Sequence, residues 1–106
     1  MTAFGSHGVR VTRILSRSSA NLVCMRVEPG GVIGAHPAAV NQLFLVVEGA
    51  GWVRSGSSAP VDIQVGQAAF WEAGEVHESG TATGLVAVIV EGLDLQPELP
   101  VLASAR

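Results

Sequence analysis

The sequence has no lysine and no tyrosine. The first absence removes a lysine Schiff base from the available mechanisms, and the second removes a phenolic acid or base. Every basic side chain other than histidine is therefore an arginine, and the six are scattered at Arg10, Arg13, Arg17, Arg26, Arg54 and Arg106. With a formal net charge of −3, the chain offers no basic face for neutralising phosphates, so no nucleic-acid partner is expected. A single cysteine, Cys24, excludes an internal disulfide and a thiolate zinc site, and fits a small buried hydrophobe on a strand. Apolar runs are short: the longest, such as Leu85–Val90, are far below the length that crosses a bilayer, so no membrane partner is expected. The N-terminal MTAFGSHGVR has no apolar core of a signal peptide, and a cytoplasmic location is the expectation. No nucleotide cofactor is expected either.

What is abundant is apolar residues and glycine. Nearly half of the 106 residues are hydrophobic and 14% are charged, the balance of one globular domain. Thirteen glycines punctuate the chain with no long helical period between them, which predicts many short strands. Strands are expected at Val9–Leu15, Asn21–Glu28, Val32–His36, Gln42–Val47, Trp52–Arg54, Val61–Val65, Ala68–Trp71, Val76–Ser79 and Leu85–Val90. Turns are expected at Ser16–Ser19, Pro29-Gly30-Gly31, Gly49-Ala50-Gly51, Ser55–Ser58 and Glu72–Glu75. Residues 1–8 read as a loose arm with an exposed His7, and residues 93–106, with Pro97 and Pro100, as an irregular tail. This pattern describes an all-β sandwich or barrel.

Two stretches carry the chemistry. Pro29–Gly49 places His36 before a strand in which Gln42, Phe44 and Val46 share one face and Leu43, Leu45 and Val47 the other. One face should line an interior, and the other should meet a second layer or a second chain. Gly66–Thr81 repeats the plan with His77 near its end. Trp52, Phe44, Phe70 and Trp71 supply aromatic surface, mostly as core, with Phe44 and Trp71 the candidates for contacting a ligand. Arg26 and Arg54 are candidate anion anchors, or else exposed strand arginines.

These stretches resemble the two motifs of the cupin superfamily, G-x5-H-x-H-x3,4-E-x6-G and G-x5-P-x-G-x2-H-x3-N. Gly30, His36 and Gly49 match the first at ungapped spacing, with Ala38 in place of its second histidine and Gln42 in place of its glutamate. Gly66, Gly74 and His77 match the second, with Glu72 in place of proline and Thr81 in place of asparagine. The resemblance covers roughly residues 9–92. It implies a single all-β domain, an antiparallel jelly-roll barrel, usually a homodimer, with its site inside the barrel mouth. It also implies a divalent metal such as Fe, Mn, Ni or Zn, held here by His36 and His77 with Gln42 as candidate third ligand; Ala38 cannot coordinate. Glu72, Glu75 and Glu78 are then candidate hydrogen-bond partners for the ligating imidazole, or simply members of a solvated turn.

Two functions follow from the resemblance. One is a metal-dependent enzyme, an oxygenase, isomerase or lyase, acting on a small polar or anionic molecule that Phe44, Trp71 and Arg54 would contact. The other is a non-catalytic, metal-free ligand-binding or accessory homodimer. An amide at position 42 leaves a divalent ion's charge uncompensated, which favours an anionic ligand in the first case. In a metal-free mechanism one histidine would serve as general base, with Gln42 orienting a carbonyl.

Overall fold

The described residues, 5–16 and 20–92 of a computed structural model, form seven antiparallel strands. They are β1 (His7–Ser16), β2 (Asn21–Pro37), β3 (Asn41–Ser55), β4 (Val61–Gln64), β5 (Ala68–Trp71), β6 (Val76–Gly80) and β7 (Leu85–Gly92). The expected tail at 93–106 lies outside the described residues, as do residues 1–4 and 17–19.

Two strands are longer than the sequence reading allowed. The turns expected at Pro29-Gly30-Gly31 and Gly49-Ala50-Gly51 do not reverse the chain; they are bends inside β2 and β3. Before its bend β2 pairs with β1 and β7; after it, β2 meets β1 once more at His7–Val32 and then pairs with β6. β3 likewise pairs with β5 and β7 first, then with β4 and β6. Each strand thus leaves one sheet and enters the facing one, and the two sheets close into a barrel. Gly49 takes a φ of 78°, and a Cβ there would run into the Gly84 carbonyl oxygen, so the bend and the close approach both call for glycine. Thr81 ties the corner down: its hydroxyl donates to the Ala50 carbonyl and accepts from Gly84 N–H at 2.9 Å.

Alternation decides what is inside. Val23 and Val27 of β2, Phe44 and Val46 of β3, Val53 beyond the bend, Ile63 of β4, Trp71 of β5 and Leu85, Ala87 and Ile89 of β7 form the core. On the other face of β3 and β5, Leu43, Ala68 and Phe70 make a smaller cluster with Leu45 and Val90. Leu43 and Phe70 are buried within the single chain, whereas Val47 is exposed. Cys24 is half-buried and unbridged. In β4 only Ile63 is buried; Val61 and the following Val65 are exposed, because this short strand pairs with β3 and ends at Gln64.

The described end of the expected N-terminal arm, from Gly5 onward, is not loose. β1 begins at His7, opposite Val32, and the Ser6 hydroxyl is buried where it accepts Gly34 N–H at 3.1 Å. His7 itself is exposed. Among the described residues no helix is long and apolar enough to cross a membrane.

Candidate functional site

Strand register assembles a cavity of about 270 Å³ between the sheets. On one wall Asn21, Glu91 and Gln42 are cross-strand neighbours along β2, β7 and β3. The next inward row is Val23, Ile89 and Phe44, and all six line the cavity. Below them lie Met25, Ala87 and Val46. On the opposite wall His36 of β2 faces His77 of β6, which faces Ser55 of β3; the row beneath pairs Ser79 with Ile33 and Val53. Asn21, Gln42, His77 and Glu91 all sit near strand ends, so the polar side chains collect at one end of the barrel above an apolar floor.

The two histidines expected from the sequence do meet. Their ring centroids are 4.3 Å apart with planes tilted by 58°. The His36 Nδ1 lies 2.8 Å from the Gly34 carbonyl, and the His77 Nδ1 lies 3.4 Å from the Glu75 carbonyl. A carbonyl accepts only from an N–H, so this contact favours the His77 tautomer with the proton on Nδ1, leaving Nε2 as its ring acceptor. Burial disfavours the imidazolium, and the neighbouring His36 adds to the effect; together they outweigh the Glu75 contact and lower the His77 pKa to about 4. His77 is therefore neutral at physiological pH.

Gln42 also lines the cavity, but its side chain is engaged: Nε2 donates to Glu91 Oε2 at 3.0 Å. The carboxylate that the motif would carry at position 42 is instead supplied across the strand pair, at Glu91. Sequence reading missed Glu91 because the apolar run was ended at Val90. Carrying the alternation of Leu85, Ala87 and Ile89 one step further places Glu91 on the same inward face.

The remaining candidates are distributed differently. Phe44 lines the cavity. Trp71 is fully buried behind His77, stacked on it at 4.5 Å, and its Nε1–H donates to Ser55 Oγ at 2.8 Å. Arg54 lies off the cavity lining, paired with Glu78 at 3.2 Å and with its guanidinium 5.8 Å from the centre of the Trp52 ring. Arg26 makes an exposed 3.8 Å pair with Glu48. Glu75 Oε1 accepts Glu72 N–H and closes the turn before β6, so its contribution to His77 is its main-chain carbonyl.

A divalent metal fits this donor set poorly. Ala38 is packed into the core, and among the described residues no group of three His, Cys, Asp or Glu is placed to hold an ion. Of the ligands that the motif leaves at this site, the Gln42 amide is uncharged and already engaged by Glu91. A wider groove of about 540 Å³ lies elsewhere, by Trp52, Asp62, Gln64, Gln67 and Thr83, and has no histidine in its lining.

No protein-family model matches the chain. No curated protein matches it either. Solved structures do. A predicted oxalate decarboxylase from Thermotoga maritima superimposes with a TM-score of 0.79 at 24% identity, over 87% of either chain. A cupin superfamily protein from Desulfitobacterium hafniense gives 0.75 at 10% identity, over 81% of this chain and 78% of that one. KdgF from a Halomonas species gives 0.75 at 17% identity, over 83% and 82%. At these identities the likeness is one of fold.

Proposed function

We propose that this chain, a cupin by its fold, binds a small organic molecule in the barrel mouth without a metal ion. The observation that carries the reading is the layering of the cavity, with His36, Gln42, His77 and Glu91 above Val23, Phe44 and Ile89. Ligand sites commonly join an apolar body of this kind to a few orienting polar groups. The neutral His77 Nε2 serves as a hydrogen-bond acceptor. With its pKa lowered to about 4, His77 is a weak base, so its role is recognition more than proton abstraction.

The adjacent imidazoles, and the fold shared with a predicted oxalate decarboxylase, favour a second reading. In it His36, His77 and Gln42 hold a divalent ion that activates a small polar or anionic substrate. Metal analysis of tag-free protein from metal-supplemented medium separates the two. The binding reading expects sub-stoichiometric metal, unchanged in a His36→Ala/His77→Ala double variant. Near one equivalent, lost in that variant, would replace it with the metal-dependent enzyme.

A further inference from the structure

Resting on that binding role, the lining of the cavity also constrains the charge of its ligand. Among the described residues, Glu91 is the only carboxylate in the lining and no arginine joins it. The sequence has no lysine to supply the missing cation. Arg54, one of two candidate anion anchors in the sequence, is paired with Glu78. Gln42 fixes one Glu91 oxygen at 3.0 Å, which holds the carboxylate in the polar row without neutralising it. An anion entering this row would meet like charge. A cation would instead make a charge-assisted hydrogen bond. The Phe44 ring lines the adjacent row.

We propose that the cavity takes a small organic cation, a primary amine or amidine on an apolar body, with its charge at Glu91. The apolar body packs against Val23, Ile89 and Phe44. This inverts the preference for anions that a metal-bearing site would show.

Three probes of one shape test the charge: benzylamine, benzyl alcohol and benzoate, titrated calorimetrically into the full chain near neutral pH. The expected order is benzylamine tighter than benzyl alcohol by about tenfold or more, with benzoate weakest. Glu91→Gln should bring benzylamine to within about twofold of benzyl alcohol. The ranking on the unmodified chain stands by itself if that variant does not fold. Equal binding of all three, or a preference for benzoate, would overturn the cationic ligand and leave the cavity as a binding site. Binding of none of them would remove both.

Discussion

Trp71 lies nearly flat on the His77 imidazole, with ring centroids 4.5 Å apart and planes 22° apart. His36 approaches the same ring at 4.3 Å. His77 is thus held between a buried indole and a second imidazole, while Trp71 is itself anchored to Ser55. Position and protonation of His77 are set by the same packing, since the neighbours that orient the ring also exclude water from it.

The first consequence is a pH dependence of stability. The unfolded chain takes up a proton at His77 near pH 6.5, whereas the folded chain resists until about pH 4. Between those values the unfolded state binds more protons, so stability falls as pH falls through that window. The full effect at this site is on the order of 3 kcal/mol. Urea unfolding at steps between pH 7 and pH 4 should show the slope, and His77→Gln should flatten it.

Trp71→Phe keeps an aromatic ring near His77 but deletes the donor to Ser55 and leaves a void. The expected cost is about 2 kcal/mol or more. In a double-mutant cycle with Ser55→Ala, the two sites should couple by about 1 kcal/mol, and purely additive effects would show that the bond contributes little.

Gly49→Ala and Gly66→Ala compare a bend with an open turn. Both positions have positive φ, but a Cβ at Gly49 meets the Gly84 backbone whereas at Gly66 it meets open space. The first should cost roughly 2–4 kcal/mol and the second roughly 1–2 kcal/mol, read from denaturation midpoints at constant slope.

Gln42→Glu would place a second carboxylate within reach of Glu91, where Gln42 now donates at 3.0 Å. Like charges in contact raise the carboxyl pKa of the folded pair, so the variant should lose stability as pH rises past the usual carboxylate range. It also restores, at position 42 itself, the carboxylate that the motif carries there. Zn²⁺ should therefore bind the variant about tenfold or more tighter than wild type and reverse the loss of stability. Weaker binding would mean that position 42 does not face the imidazoles.

The barrel was legible in the sequence because its evidence is local. Period-two alternation at Asn21–Glu28 and Gln42–Val47 separates the two faces of each strand, and the ungapped spacing of Gly30, His36 and Gly49 fixes the motif. Two features were not legible, for a common reason. Whether Pro29-Gly30-Gly31 reverses a chain or bends a strand depends on which partners flank it, and those partners are distant in sequence. Glu91 next to Gln42 is likewise a matter of register between β3 and β7. The placement of Arg54 follows from alternation: Val53 and Ser55 point inward, so Arg54 turns outward to Glu78.

β7 is the last strand of the described chain, and it pairs with both β2 and β3. During synthesis the barrel wall therefore stays open until this strand has emerged, and the row of Asn21, Glu91 and Gln42 exists only after it docks. Contacts this far apart in sequence form late and slowly. A ligand of the mouth would thus recognise only the finished barrel, slowing its unfolding without accelerating its assembly.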